Sequence, residues 1–309
     1  MLPDRVLVTG GAGFVGSHLC DRLVADGCEV VVLDDLSRGQ EEWLPAGARL
    51  VRADVRDRGA VLAAVTEAAP GAVVHLAALH FIPAVDDAPE LAQAINVEGT
   101  RNVLDAAEAA GVQTVVFAST AAVYGDTAGA IDETVVPAPI DLYGRTKLEG
   151  ERLLESLAAR TGARCVAARL FNVVGPRETN PHVLPEIVEQ VRGGATALAL
   201  GNLEPQRDYI DARDVATAIV TLLRTAAPGK RHFNVGSGRP VSVADLVAAC
   251  STIAGRELVV HRDPARVRRV DRMCLLSDPA ALEGLGWTRS HTLESTLSEL
   301  LSTRPGASS

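Results

Sequence analysis

The chain has 309 residues, 47% of them hydrophobic, and a formal net charge of −9 at pH 7. Its length and apolar content are sufficient for a large core and predict one large domain with a smaller lobe. The acidic balance argues against a nucleic-acid-binding protein, and five cysteines without a CxxC pair argue against a disulfide framework or a metal site. We expect a cytosolic protein, because no apolar run reaches the roughly 18–20 residues of a membrane span. The first apolar run also begins too close to Met1 for a signal peptide.

Short β-branched segments alternate with longer helical segments through the first 170 residues. Several of the strand candidates are apolar at every position, which is typical of strands buried on both faces of a parallel sheet. The alternation predicts right-handed βαβ units and therefore an α/β fold with a Rossmann-type doubly wound sheet. The predicted strands are 5–9, 29–33, 48–52, 72–76, 114–118 and 164–169, and the predicted helices lie near 14–26, 57–68, 89–110 and 143–160.

After Phe171 the pattern is less regular and is interrupted by glycine and proline. A helix near 211–224 and a strand near 232–235 indicate a return to the sheet, and helices near 242–253 and 291–302 complete a lobe. We therefore predict a dinucleotide-binding domain of residues 1–170 plus about 206–240, and a smaller lobe of 171–205 plus 241–309. Ligands of such sheets bind at the carboxyl ends of the strands.

A glycine-rich segment follows the first predicted strand and opens the first helix. Gly10 permits a tight turn, Gly13 lets the backbone approach a pyrophosphate, and Gly16 lets the helix pack close to the strand. The second strand is followed by Asp34 and Asp35, and an acidic residue there suits a ribose 2′-hydroxyl and repels a 2′-phosphate. The pattern predicts a dinucleotide site for NAD rather than NADP.

Asp54 follows the third predicted strand and has two interpretations. It could accept a hydrogen bond from the adenine amine, or it could be the N-cap of the next helix. The sequence leaves both open.

Tyr143 and Lys147 are four residues apart on a predicted helix and therefore share one face. A neighbouring ammonium, with the cationic nicotinamide ring, would favour the phenolate and make Tyr143 a general base for a sugar or alcohol hydroxyl. Ser119 and Thr120 follow the fifth strand, and a hydroxyl there could orient the reacting oxygen. The alternatives are a surface Tyr/Lys pair and hydroxyls that only cap the strand end.

Eight ordered motifs carry a resemblance to a known family. The chain resembles the extended short-chain dehydrogenase/reductase family, in its branch of NAD-dependent nucleotide-sugar epimerases and dehydratases, which includes the UDP-galactose 4-epimerases. The motifs are TGGAGFVGSHL (9–19), DDLSRG (34–39), HLAA (75–78), NVEGT (96–100), STAAVYG (119–125), YGRTK (143–147), RLFN (169–172) and RDYI (207–210).

The resemblance implies roles by position. Thr120, Tyr143 and Lys147 would be the catalytic residues. The implied contacts to NAD are Gly10, Gly13, Phe14, Val15, Gly16, Asp34, Asp35, Ser37, Asp54, Val55, Leu76, Ala77, Ala78, Asn96, Tyr143 and Lys147. The implied contacts to the nucleotide sugar are His80, Thr120, Asn172, Arg207 and Arg272.

The chain departs from the family pattern at two places. His80 stands where the UDP-galactose 4-epimerase pattern often has lysine, and segment 201–208 is more similar to GDP-mannose dehydratases and 4-keto-reductases. UDP is the expected nucleotide, with GDP and dTDP open. We expect an NDP-sugar 4-epimerase; the alternatives are an NDP-4-keto-sugar reductase and, in another class, a non-catalytic NAD-binding regulator.

The family also implies a homodimer formed by the helices near 89–110 and 143–160. The apolar residues Leu91, Ile95, Val103 and Leu104 would belong to this interface. The alternative is that these helices only cover the sheet.

Overall fold

The computed structural model describes residues 1–127, 129–225, 231–266 and 272–302. Its strands are β1 (Arg5–Thr9), β2 (Glu29–Asp34), β3 (Ala48–Arg52), β4 (Ala72–His75), β5 (Thr114–Thr120), β6 (Ala130–Ile131), β7 (Arg164–Leu170), β8 (Asn172–Val174), β9 (Ala197–Leu200), β10 (Gln206–Asp211), β11 (His232–Val235), β12 (Pro240–Ser242), β13 (Val259–Arg262) and β14 (Cys274–Ser277). Its α-helices are α1 (Phe14–Ala25), α2 (Arg58–Ala68), α3 (Ile82–Asp87), α4 (Pro89–Gln93), α5 (Thr100–Ala109), α6 (Leu142–Thr161), α7 (Val183–Arg192), α8 (Ala212–Arg224), α9 (Val243–Ala254), α10 (Ala280–Glu283) and α11 (Leu293–Ser302).

Seven parallel strands form the large sheet, in the order β11-β7-β5-β4-β1-β2-β3. Successive apolar residues of β1 point to opposite faces, so Val6 and Val8 join one core cluster and Leu7 joins the other. The first cluster also contains residues of α1 and α8, and the second contains residues of α2, α5 and α6. Helices on both faces of a parallel sheet confirm the predicted Rossmann-type fold.

The smaller lobe is built from short strands that are distant in sequence. Strands β12, β10, β14 and β6 form one sheet, β8 pairs with β10, and β9 pairs with β13. Helices α7, α9 and α11 supply its core. Strand β10 lies in the predicted dinucleotide-binding segment 206–240 but pairs with strands of this smaller sheet, whereas α8 and β11 pack on or in the large sheet. The division into two domains stays a prediction.

The predicted helix 89–110 is not continuous. It consists of α4, one stretch of π-helix (Ala94–Gly99) and α5. A π turn accommodates one more residue than an α turn, and such turns are frequent at functional sites. Here it contains the buried Asn96, whose side chain forms hydrogen bonds with residues outside this helix rather than with solvent.

Candidate active site

The glycine-rich turn packs β1 and α1 against the loop that follows β4. Gly10 has a φ of +70°, and a Cβ atom there would lie 2.7 Å from the backbone nitrogen of Ala77. A Cβ atom on Gly16 would lie 2.1 Å from the carbonyl oxygen of Gly10. A Cβ atom on Gly13 would meet only that oxygen within 4 Å, at 3.3 Å. The turn therefore leaves backbone access beside Gly13 at the N-terminus of α1, as a pyrophosphate requires.

Asp34 bridges this turn to the end of β2. Its Oδ2 accepts a hydrogen bond from the backbone N–H of Ala12 at 3.0 Å, and its Oδ1 accepts one from Leu36 at 2.9 Å. Burial raises the pKa of Asp34, and the two backbone bonds oppose that rise. The neighbouring Asp35 is exposed and accepts hydrogen bonds from the backbone N–H and Oγ of Ser37 at 2.9 and 2.6 Å. Both carboxylates lie where a ribose contact was predicted, and each keeps lone pairs for one.

Asp54 pairs with the guanidinium of Arg56, whose Nε donates to Oδ2 at 2.8 Å. This contact lowers the pKa of Asp54. The N-cap of α2 is Asp57, which accepts from the backbone N–H of Ala60, so the interpretation of Asp54 as the helix cap is wrong. Its predicted adenine contact stays a prediction. Val55 is buried, and a Cβ atom on Gly99 would lie 2.7 Å from its side chain.

Asn96 and His75 hold the segment 76–79 that follows β4. The Asn96 side chain accepts from the backbone N–H of Leu79 at 2.8 Å, donates to the carbonyl of Leu79 at 2.9 Å and donates to Oγ1 of Thr146 at 3.1 Å. His75 lies between Thr9 at 2.6 Å and Thr100 at 2.9 Å. Burial lowers the pKa of His75 to about 3, so this imidazole is a neutral structural group.

The predicted catalytic residues come together where β5 meets α6. Thr120, the last residue of β5, forms a side-chain hydrogen bond with Tyr143 in the first turn of α6. One turn later, Nζ of Lys147 donates to the carbonyl oxygen of Ala118 at 2.9 Å and lies 4.8 Å from the centroid of the Phe117 ring. The interpretation of Tyr143 and Lys147 as a surface pair is wrong, because Lys147 is only 2% exposed.

Burial controls the proton affinities of both groups. It raises the pKa of Tyr143, which the hydrogen bond with Thr120 partly offsets, and it lowers the pKa of Lys147 to about 7. The protein groups alone thus do not favour the Tyr143 phenolate as the sequence led us to expect. The expectation also depended on the cationic nicotinamide ring, and a positive charge placed beside the Tyr143 phenol would act in the required direction.

A buried polar network lies behind the catalytic residues. Arg169 of β7 donates to both carboxylate oxygens of Glu151 on α6, at 2.9 and 2.6 Å, and to Oη of Tyr124 at 2.9 Å. Ser119 donates to the same carboxylate at 2.5 Å, and Tyr124 donates to Oδ1 of Asn234 at 2.8 Å. Ser119 and Arg169 are register partners on adjacent strands, so Glu151 is held by both.

The predicted diphosphate contacts lie on and beside the smaller sheet. Arg207 is on β10, and Asn172 at the start of β8 pairs in register with Tyr209 of β10. Nη1 of Arg207 donates to the carbonyl oxygen of Arg272 at 2.7 Å. Arg272 is 9% exposed, and its Nη2 lies 3.3 Å from the carbonyl oxygen of Ala122, two residues after Thr120. The structure therefore brings Arg207 and Arg272 together and places Arg272 against the segment that follows Thr120.

His80 connects the loop after β4 to the segment that follows β8. The amide nitrogen of Asn180 donates to Nε2 of His80 at 3.0 Å and to Oε1 of Glu178 at 3.0 Å. Desolvation by the surrounding protein atoms lowers the pKa of His80, and the nearby His182 lowers it further. His80 is thus a neutral acceptor, which differs in charge from the lysine of the family pattern.

Sequence reasoning missed three residues of this site. Asp141 is the N-cap of α6, and an Asp before a helical segment was an available signal for it. Glu151 continues the face of Tyr143 and Lys147 by one further turn. Asn180 is buried in a segment without regular structure, and no local pattern indicates its contact with His80.

The model of the NAD dependent epimerase/dehydratase family matches residues 6–236. The UDP-glucose 4-epimerase of Corynebacterium glutamicum is 35% identical to this chain, and the aligned region covers 93% of this chain and 92% of that protein. The GDP-6-deoxy-D-mannose reductase of Pseudomonas aeruginosa is 31% identical and covers 97% of both chains. The crystal structure of the Thermus thermophilus UDP-glucose 4-epimerase in complex with NAD is similar with a TM-score of 0.88, 33% identity, and coverage of 96% of this chain and 97% of that chain. With its fold and the Thr120, Tyr143 and Lys147 cluster, this chain belongs to the NAD-dependent epimerase/dehydratase family of enzymes.

Proposed function

We propose that this protein is a UDP-hexose 4-epimerase with NAD as its cofactor. The observation that carries the proposal is the cluster of Thr120, Tyr143 and Lys147 at the carboxyl edge of the large sheet, the same edge that carries the glycine-rich turn, with Arg272 against the segment that follows Thr120. The 4-epimerase relatives support the reaction, and the UDP-sugars named for similar solved structures support the nucleotide. The residues around Gly13, Asp34 and Asn96 fit the cofactor, because they combine open backbone with fixed hydrogen-bonding loops.

The residues around Gly13, Asp34 and Asn96 would hold NAD, which would supply a reversible hydride acceptor for C4 of the sugar. Tyr143 removes the proton of the C4 hydroxyl and later gives it back, and Thr120 orients that oxygen by sharing a hydrogen bond with Tyr143. The amino group of Lys147 is held by its hydrogen bond to the carbonyl oxygen of Ala118. Because its pKa is about 7, this group can bind or release a proton as Tyr143 ionises. The sequence of steps leaves no net oxidation.

Asn172, Arg207 and Arg272 form the proposed diphosphate site. Two guanidinium groups supply the charge that a diphosphate needs in a protein of net charge −9. Arg272 fixes the distance between this site and Tyr143, because it contacts the segment that follows Thr120.

The positions after Thr120 argue against elimination or decarboxylation. Both reactions move a proton at C5 or expel a leaving group and need further acid–base groups there. Ala121 and Ala122 are buried, 2% and 7% exposed, and their methyl side chains cannot donate or accept a proton. We therefore expect re-reduction of the 4-keto sugar as its only fate.

The competing function is reduction of an NDP-4-keto sugar. It is favoured by the similarity of segment 201–208 to the reductase branch and by the Pseudomonas aeruginosa reductase among the relatives. The two reactions differ in redox balance, because a reductase consumes one reduced cofactor for each turnover and an epimerase consumes none.

The test is incubation of purified protein with UDP-glucose, UDP-galactose and their GDP and dTDP counterparts, with no reduced cofactor added. Proton NMR at C4 reports inversion, and mass spectrometry reports loss of water or carbon dioxide. We expect inversion at constant mass, most rapidly with a UDP-hexose. Turnover of a 4-keto sugar only when reduced cofactor is added would contradict the epimerase and support the reductase.

The homodimer and the cytosolic location remain parts of this proposal. Val103 and Leu104 are buried in the core beneath the large sheet, so they cannot form the interface, while Leu91 is exposed and Ile95 is half-buried. The proposed interface is therefore reduced to Leu91, Ile95 and the polar outer faces of α5 and α6. In the described parts of the chain, no helix combines the length and apolar character needed to cross a membrane.

A further inference from the structure

Asp141 joins the first turn of the catalytic helix to an arginine of the smaller lobe. Its Oδ1 accepts a hydrogen bond from the backbone N–H of Gly144 at 2.7 Å and so caps α6. Its Oδ2 lies 3.3 Å from Nη2 of Arg272, the nitrogen that also donates to Ala122. One carboxylate therefore contacts both the helix that carries Tyr143 and the side chain assigned to the diphosphate.

The packing around this carboxylate leaves little freedom. A Cβ atom on Gly144 would lie 2.3 Å from the carbonyl oxygen of Ala122, so the first turn of α6 is in direct contact with the segment after β5. That segment is itself held by Oγ1 of Thr120, which accepts from the backbone N–H of Ala122 at 3.1 Å. Any displacement of Arg272 or Asp141 would therefore be transmitted to both Thr120 and Tyr143.

The charge of Asp141 also acts on Tyr143. Burial is the main cause of the raised pKa of Tyr143, and the negative charge of Asp141 raises it further, against the hydrogen bond with Thr120. The other titratable groups on this face of α6 are Lys147, whose charge also acts on His80 in the loop after β4, and, one turn further, Glu151, which is paired with Arg169. Arg272 is the cation that pairs with Asp141, and the charges of Arg207 and Asp126 also act on Arg272.

We propose that Asp141 is a positioning residue that links Arg272 to the catalytic helix, and that its carboxylate opposes release of the Tyr143 proton to an extent that Arg272 limits. The inference rests on the proposed function, in which Tyr143 is the base. It adds that Arg272 of the proposed diphosphate site and the helix that carries Tyr143 are connected through the carboxylate of Asp141.

The test follows the ionisation of Tyr143 in the NAD-loaded enzyme by phenolate absorbance. The chain has three tyrosines, so subtracting the spectrum of the Tyr143→Phe variant in each background isolates the signal. Asp141→Asn removes the charge but keeps a capping oxygen, because Asn and Asp are equivalent N-caps. We expect its Tyr143 to ionise at lower pH, by about threefold or more in the ionisation constant. Its Tm should fall less than that of Asp141→Ala, because Arg272 loses its carboxylate partner in both variants but only the alanine also removes the cap.

Three further variants separate charge from structure. Arg272→Gln should move the ionisation of Tyr143 to higher pH, because Asp141 is then no longer offset. Asp141→Ala should lower the pH of ionisation as Asp141→Asn does, but with a lower Tm from the lost cap. Asp126→Asn, which removes another carboxylate in the field of Arg272, should leave the ionisation of Tyr143 unchanged.

Each outcome decides between the inferences. A lower Tm in Asp141→Ala with no change of ionisation in either Asp141 variant would reduce Asp141 to a helix cap and overturn the proposal. Shifts of the expected sign without C4 inversion of any sugar nucleotide would support it while contradicting the epimerase. No Tyr143 phenolate below about pH 10 would overturn both this proposal and the assignment of the base.

Discussion

Two buried cations lie beside successive turns of α6 and differ in what compensates them. Lys147 has one backbone carbonyl and the face of Phe117 as its described contacts, and burial lowers its pKa to about 7. Burial also opposes the charge of Arg169, but the hydrogen bonds and charge of Glu151 outweigh it and raise the pKa of Arg169. Both side chains are at most 3% exposed, so the difference comes from the partner and not from the depth.

The difference separates the lysine proposed to take part in proton transfer from a structural arginine. A buried ammonium without a carboxylate partner costs stability and stays close to its own deprotonation, which a proton-transfer site requires. A buried guanidinium with two carboxylate contacts stays charged and connects β7 to α6. Tyr143 belongs to the first region and Tyr124 to the second, and each offers a way to test the distinction.

The largest expected effect is that of Tyr143→Phe on turnover. The change removes the oxygen proposed to transfer the proton and keeps the ring, so we expect kcat to fall by about 10²–10⁴-fold, with NAD still bound. The matched control is Tyr124→Phe, which removes the hydroxyl between Arg169 and Asn234. The control should lose about 1–3 kcal/mol of stability, since buried polar partners are left unsatisfied, and keep its turnover. Equal loss of kcat in both variants would contradict the separation.

The second effect concerns stability and has opposite signs in the two regions. Glu151→Gln leaves Arg169 as an uncompensated buried charge, which typically costs about 3–5 kcal/mol. Lys147→Met removes a buried charge that has no carboxylate partner, so the free energy of unfolding should stay equal or rise while turnover is lost. Chemical denaturation of both variants without sugar measures this. Replacing Glu151 and Arg169 together by leucine and methionine should recover most of the stability, and failure to do so would show that the pair has a further role.

The sequence predicted the proposed catalytic region and missed the structural one for a physical reason. Tyr143 and Lys147 are four residues apart on one helix, so their proximity follows from helix geometry alone. Glu151 and Arg169 belong to different elements, α6 and β7, and meet only because the helix packs across the sheet. The same holds for Asp141 and Arg272, whose contact depends on the position of the smaller lobe.

The two sheets differ in the same way. Strands of the large sheet, such as β1 and β2, are continuous apolar runs buried on both faces and could be predicted from composition. Strand β10 has the sequence QRDYID and forms only because β8, β12 and β14 supply its partners. Short strands of mixed polarity carry no local signal, and the smaller sheet could therefore not be predicted.

The most specific effect is the pH dependence that Lys147 imposes on stability. In the unfolded chain its pKa is near 10.5, and in the folded protein burial lowers it to about 7. Between these values the unfolded state binds more protons at this site than the folded state, so the contribution to the free energy of unfolding rises with pH. Below about pH 7 the lysine is charged in both states and its contribution no longer changes.

We expect the difference in unfolding free energy, wild type minus Lys147→Met, to increase from pH 7 to pH 10 by at most about 1.4 kcal/mol per pH unit. Denaturant titrations of the two cofactor-free proteins measure it, and other titrating groups cancel in the difference. A difference that stays flat over this range would mean that Lys147 remains an ammonium in the folded protein, and Lys147 would then belong with Arg169 as a permanently charged group.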